Sequence, residues 1–271
     1  MESGALRLLY GTRAGRCALK LLIHPRLSRM AGRYLDSRHS KWLIAPFVKR
    51  CGLDLTEYEP AEYGSFNAFF IRQKRAEYLR PDMEANHLIS PCDGFLSACA
   101  ISADSKFRIK GIEYSLAGLL ADAALARRFR GGQCLIFRLT PQNYHRYWYI
   151  DSGVKERQVV LPGVLHCVRP IACERYPVYA QNSREYVLIH TENFGDIIQM
   201  EVGALLVGRI CNHSGAQAVR RGEEKGYFEF GGSTIVLLFE AGRIALDAPT
   251  CPGIEIPVRA GEKIGTRTSG K

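Results

Sequence analysis

No stretch of this 271-residue chain holds about 18 consecutive apolar residues, so a membrane-spanning helix is not expected. Arginines interrupt the apolar stretch at the start, which therefore does not read as a secretory signal. Nine cysteines are present (Cys17, Cys51, Cys92, Cys99, Cys134, Cys167, Cys173, Cys211 and Cys251), but none stands in a Cys-x-x-Cys pair and the count is odd. That pattern argues against a disulfide framework or a zinc site and suits a reducing, cytosol-facing environment. Internal repeats and low-complexity tracts are lacking too. No metal site is expected.

Acidic residues are almost missing from the first fifty positions. Eleven Lys and Arg stand there against Glu2 and Asp36, so this arm carries +9 of the formal +10 net charge. The remaining residues are close to neutral. A basic arm calls for a polyanionic partner. Its apolar residues cluster as Leu6, Leu9 and Tyr10, then Leu19 to Ile23, then Met30, Tyr34 and Leu35, then Trp42 to Val48. Basic residues fall between these clusters at helical spacing, and Pro25 and Pro46 punctuate. Amphipathic helices of this kind suit an anionic membrane surface. They also suit a helix pair packed on the body with a solvated basic face, and a docked helix can touch lipid as well. Nucleic acid is not the expected partner, because no base-reading motif is present.

Ser65 opens a short helix over 66–72. From about residue 88 the pattern turns to short strands: 95–101, 107–112, 134–139, 158–161, 186–190, 197–210 and 234–239, with an alanine-rich helical stretch at 115–129. Turn signals separate them, among them Asp93-Gly94, Pro162-Gly163 and Ala241-Gly242. The expected fold class is α+β: N-terminal amphipathic helices followed by a strand-rich, mostly antiparallel body.

Three places can carry chemistry. Gly231-Gly232-Ser233-Thr234 precedes the apolar run Ile235 to Phe239. Without a Cβ, Gly232 leaves its carbonyl open, and a rigid strand would hold Ser233 so that its hydroxyl can attack the preceding peptide bond. These glycines are no phosphate loop, because no Gly-Lys-Ser/Thr follows. Asp93, in Ser90-Pro91-Cys92-Asp93-Gly94, can point into a cleft or make an ordinary Asp-Gly turn. His145, in Tyr144-His145-Arg146-Tyr147-Trp148-Tyr149, can be a tuned acid or base or a core histidine satisfied by backbone. The other histidines show no ligand spacing.

In order and spacing these pieces resemble the phosphatidylserine decarboxylase family of pyruvoyl enzymes, prokaryotic proenzyme type. The resemblance runs from Ser65-Phe66-Asn67-Ala68-Phe69-Phe70-Ile71-Arg72 through Arg80-Pro81, Ser90 to Gly94, Tyr144-His145-Arg146 and Pro162-Gly163. It continues through Val202-Gly203-Ala204, Val207-Gly208 and Glu224 to Phe228, and ends at Gly232-Ser233-Thr234. It implies self-cleavage at Gly232–Ser233 into chains 1–232 and 233–271, held together as a heterodimer, with any higher oligomer left open. Ser233 would become the pyruvoyl cofactor, forming a Schiff base with phosphatidylserine and releasing CO2 and phosphatidylethanolamine. Asp93 and His145 would assist Ser233. Many members carry a second His where this chain has Trp148. Residues 1–64 would associate with the membrane and 65–271 would form the catalytic domain, peripheral on the cytoplasmic side of the cell membrane. Two alternatives stay open: a serine hydrolase using Ser233, His145 and Asp93, and an unprocessed lipid-binding relative.

Overall fold

The computed structural model describes residues 8, 12, 15, 25–109, 112–164, 166, 177–204, 209–215, 217–230, 233–248 and 254–268. Most of the arm before residue 25, the Val207-Gly208 pair and the two glycines before Ser233 lie outside these residues.

Helices come first. They are α1 (Pro25–Asp36), α2 (Ile44–Cys51) and α3 (Phe66–Phe70), with a 3-10 turn, Arg38–Leu43, between the first two. Ser65 caps α3 by accepting a hydrogen bond from the Ala68 amide, which satisfies one of the amides a helix start leaves open. Further on, α4 (Leu116–Leu120) and α5 (Ala123–Arg128) break the helical stretch expected over 115–129 in two, and α6 (Val178–Gln181) is a single turn. Asp122 makes the break, because its side chain caps α5 through the Ala124 and Leu125 amides.

The strands follow in chain order as β1 (His87–Ile89), β2 (Gly94–Ala100), β3 (Lys106–Ile109), β4 (Ile112–Ser115), β5 (Gln133–Leu139) and β6 (Arg146–Trp148). Then come β7 (Gly153–Lys155), β8 (Val159–Leu161), β9 (Arg184–Thr191), β10 (Asp196–Gly203), β11 (Ile210–Asn212) and β12 (Ala218–Val219). The last five are β13 (Glu224–Phe228), β14 (Ser233–Phe239), β15 (Ile244–Leu246), β16 (Ile256–Val258) and β17 (Lys263–Arg267). The run expected as one strand over 197–210 is two, β10 and β11, which lie in different sheets.

A nine-stranded sheet forms the body, ordered β12-β7-β9-β10-β14-β5-β2-β16 with β8 also on β9. Every pairing between its strands is antiparallel. All seven residues of β14 are buried. A strand covered on both faces needs no polar alternation, which is why Ile235 to Phe239 reads as an unbroken apolar run. One face packs Val236 and Leu238 under α4, α5, α6 and the β3–β4 hairpin. The other packs Ile235, Leu237 and Phe239 under Tyr147 of β6, Phe228 of β13 and the β1-β17-β15 sheet. Ser233 shares the parity of this second face. Its cover there is the three-stranded sheet β11-β13-β6.

Candidate active site

Ser233 is the first residue of β14, opposite Leu139 of β5 on one side and Gly203 of β10 on the other. Both neighbours are backbone-paired to it, so the strand ladder holds the serine while Gly203 adds no side chain beside it. The serine is fully buried. His145 leads into β6 on the covering sheet and hangs over the serine: His145 Nδ1 lies 3.3 Å from Ser233 Oγ.

The other ring nitrogen decides the tautomer. His145 Nε2 lies 3.1 Å from the Thr140 carbonyl oxygen, which only accepts. Nε2 therefore carries the hydrogen and donates, leaving Nδ1 to accept from the Ser233 hydroxyl. Burial, with the Arg72 guanidinium nearby, lowers the His145 pKa to about 3, so the ring is neutral at pH 7. Its face lies on Phe70 at 4.2 Å between centroids. Arg72 is buried, with its guanidinium over the rings of Tyr58 and Phe69.

Helix α3 also holds the segment before the serine. Asn67 Oδ1 accepts from the Phe230 amide at 3.1 Å, and Asn67 Nδ2 donates to Asp36 Oδ1 at 2.8 Å. The Phe230 ring meets Phe66, Phe70 and Phe47 edge-on. Leu35 of α1 and Phe47 of α2 complete this aromatic cluster. The described part of the basic arm thus packs against the helix that anchors the chain three residues before Ser233.

Asp93 stands apart from His145. It accepts from Lys74 Nζ at 2.8 Å and from the Ala260 amide at 2.9 Å. A Cβ on the following Gly94 would lie 2.8 Å from the Arg138 carbonyl oxygen, so β2 and β5 approach here as only glycine permits. Because β5 separates β2 from β14, Asp93 and Ser233 sit two strands apart, roughly 10 Å between backbones. The third partner of the Ser233–His145 pair is the Thr140 carbonyl, so these residues form no Ser-His-Asp relay. Trp148 is a buried packing residue whose ring rests against Gly261. Its amide donates to the Pro91 carbonyl at 2.9 Å, and its carbonyl accepts from Gln199 Nε2 at 3.1 Å.

Four residues near Ser233 were missed by motif reading: Asn67 as an anchor, Asn182, Glu201 and Lys225. Asn182 is fully buried and its Nδ2 donates to the Gly203 carbonyl at 2.7 Å, fixing the residue opposite Ser233. Glu201 and Lys225 form a buried ion pair at 2.5 Å. The available signal was an acid inside an apolar strand, Met200-Glu201-Val202. Five described cysteines (Cys51, Cys92, Cys99, Cys134 and Cys211) are free thiols. Among the described residues no group of three or more His, Cys, Asp and Glu could hold a metal ion.

The α+β body thus places a buried serine at a strand start with a neutral histidine on its hydroxyl. The family model for phosphatidylserine decarboxylase matches residues 66–266. The chain is 45% identical to phosphatidylserine decarboxylase proenzyme 2 of Clostridium acetobutylicum, over 97% of this chain and 92% of that protein. It is 39% identical to the phosphatidylserine decarboxylase proenzyme of Clostridium novyi, covering 97% of this chain and 92% of the relative. It is also 39% identical to that of Desulfitobacterium hafniense (strain DSM 10664 / DCB-2), covering 98% and 93%. The chain belongs to the phosphatidylserine decarboxylase family and is a carboxy-lyase.

Proposed function

We propose that this chain is a proenzyme that cuts itself at Gly232–Ser233 and then decarboxylates phosphatidylserine to phosphatidylethanolamine. The observation that carries the reading is the Ser233 Oγ to His145 Nδ1 contact, 3.3 Å long in a pocket closed to water. Neutral His145 is set to take the hydroxyl proton, and Oγ then attacks the Gly232 carbonyl. The amide becomes an ester. Loss of the Ser233 Cα proton expels that ester, releasing residues 1–232 with a carboxylate at Gly232. The dehydroalanine left at 233 takes up water and loses ammonia, giving a pyruvoyl group.

The surroundings of residue 233 fit such a group: Gly203 leaves the flank free of side chains, and the β5 and β10 ladders hold the backbone. The pyruvoyl ketone supplies an electron sink for a substrate joined through its amino group as a Schiff base, the role pyridoxal phosphate has elsewhere. His145 is the candidate donor of the proton that the product's α-carbon takes up. Asp93, fixed by Lys74 and Ala260, shapes the same end of the sheet.

Residues 1–64 serve membrane association and 65–271 catalysis. The diacyl substrate stays in the bilayer, since each CH2 contributes about 0.8 kcal/mol to partition, so the enzyme must reach the surface. Met30, Tyr34 and Trp42 are exposed, at 65%, 45% and 66%. Trp42 Nε1 donates to Tyr34 Oη at 3.0 Å, gathering two of them into one patch. Their helices pack by Leu35 and Phe47 against the cluster that holds Phe230, so lipid contact and the cleavage segment share a support. Among the described residues no helix is long and apolar enough to cross a membrane. This reading puts the enzyme on the cytoplasmic face of the cell membrane.

Intact mass spectrometry of the expressed chain tests the reading. The expected result is a large chain ending at Gly232, a small chain starting at 233 with a pyruvoyl mass, and inhibition by hydroxylamine. A single uncut species that still decarboxylates phosphatidylserine overturns the mechanism. An uncut species blocked by serine-directed phosphonates returns the chain to the hydrolases.

A further inference from the structure

Replacing a carboxylate by hydrogen consumes one proton per turnover. The carboxylate leaves as CO2, its bonding electron pair stays on the substrate α-carbon, and a proton takes up that pair. Ser233 is 0% and His145 1% exposed, so neither side chain touches solvent directly. His145 rests with Nδ1 bare. A proton must therefore be stored on this face of the sheet or conducted to it.

Glu201 of β10 lies on Ser233's face, one row along, opposite Ile235. Such diagonal neighbours on adjacent strands are about 7–8 Å apart. On its other side Glu201 is directly opposite Glu185 of β9. Two carboxylates facing each other across strands destabilise the pair unless the charge is neutralised. The covering sheet brings one cation to them. Lys225 Nζ donates to Glu201 Oε2 at 2.5 Å and to Asn212 Oδ1 at 2.7 Å. Asn212 Nδ2 bridges the two acids, at 2.9 Å to Glu185 Oε2 and 3.2 Å to Glu201 Oε2.

One lysine neutralises one of the two charges, and a proton relieves the other. Glu201 is the better holder: it is fully buried and its Oε1 has no hydrogen-bond partner among the described residues. Burial raises its pKa, opposed by Lys225. Among the described residues, the remaining groups facing it do not supply the balancing charge. Cys92, Tyr147 of β6 and Tyr149 are pushed up by burial and stay neutral. Lys155 of β7 is engaged with Tyr149 Oη at 3.1 Å. Glu185 is half-buried and opens onto a surface cleft of about 780 Å³, lined also by Lys155, Gln158, Asn212 and His213. A connected set of polar groups thus runs from water to the serine's side of the sheet.

We propose that Glu201 is the proton store of the Ser233 site, filled from this cleft through Glu185 and held in place by Lys225 and Asn212. The role is one of positioning and proton holding, and it rests on the decarboxylase reading above. Once its proton has gone, by way of His145 Nδ1, to the substrate α-carbon, Glu201 is recharged from water at Glu185.

The test uses the full, self-cleaved chain in mixed micelles of phosphatidylserine and detergent, comparing the parent with Glu201→Gln and Glu185→Gln. Both variants should cleave fully on a denaturing gel and keep KM within about twofold, while kcat falls at least tenfold. During turnover the small chain should also appear with alanine in place of the pyruvoyl group at position 233. A proton that misses the substrate carbon is taken by residue 233; the amino group and two electrons pass with it, and hydrolysis releases the substrate carbon as an aldehyde. A merely structural ion pair would not move this partition. Glu185→Gln sits at the cleft rim, so it decides the matter if Glu201→Gln misfolds. Parental kcat and no alanine at position 233 in Glu185→Gln, or in a folded Glu201→Gln, overturn the proposal alone. A parent that neither splits nor releases CO2 overturns the decarboxylase reading and this inference with it.

Discussion

Asn67 Oδ1 accepts the Phe230 amide hydrogen at 3.1 Å, joining positions 163 residues apart. This bond ties the capped turn Ser65–Phe70 to the segment that enters residue 233, and it gives the Ser-Phe-Asn-x-Phe-Phe stretch a physical task. Replacing Asn67 by Ala would leave the Phe230 amide and Asp36 Oδ1 without these partners, a cost of about 1–3 kcal/mol. If part of that cost falls on the reactive geometry, self-cleavage slows roughly tenfold per 1.4 kcal/mol. The measurement is the fraction of uncut chain against time on a denaturing gel. Cleavage of Asn67→Ala at the parental rate would show that the anchor does not govern the reaction.

His145 links stability to pH. Its folded pKa, lowered to about 3, lies below the ordinary value of 6.5, so between these limits the unfolded chain binds a proton that the native chain does not. The stabilising contribution is fully present above pH 6.5 and is lost as pH falls toward 3, at up to about 1.4 kcal/mol per unit. Urea unfolding at pH 6.5 and 4.5 should therefore show a smaller stability drop in His145→Gln than in the parent. Equal drops would mean that His145 does not set the acid sensitivity.

Trp148 and Gly261 form a packing pair. Gly261 has φ +81°, and a Cβ there would lie 2.8 Å from Trp148 Cζ3 and 2.8 Å from Pro81 Cα. Gly261→Ala should destabilise by about 1–3 kcal/mol through overpacking, with left-handed backbone strain in addition. Thermal unfolding reads this directly, and an unchanged Tm would contradict the tight contact. Gly261→Ala combined with Trp148→Leu should recover part of the loss, because the ring edge is removed.

Deleting residues 1–50 would remove Phe47 and Leu35 from the aromatic cluster as well as the basic charge, so a surface substitution isolates membrane contact better. Met30→Asp with Trp42→Asp should leave self-cleavage intact and weaken sedimentation with phosphatidylserine vesicles at least tenfold. Added salt should weaken the parent's binding as well, since basic residues near an anionic surface each contribute on the order of 1 kcal/mol. Vesicle binding unaffected by both changes would remove the membrane role of this patch.

Local chemistry carried much of this protein in its sequence. The buried strand 234–239 is legible because both faces are apolar; the cap at Ser65, the turn at Asp93-Gly94 and the charge of the arm are legible because they depend on near neighbours. Ser233 stood out for its glycines, and the family for the order of its motifs. Only the tertiary structure decided which groups meet. Ser233 and His145 are 88 positions apart and come together because β14 and the turn before β6 lie in facing sheets. Asp93 is two strands away because β5 runs between. Glu201 and Glu185 face each other through the β9–β10 register, and Lys225 reaches them from another sheet. Sheet register and layer packing arise from contacts across the whole chain, and no window of sequence contains them.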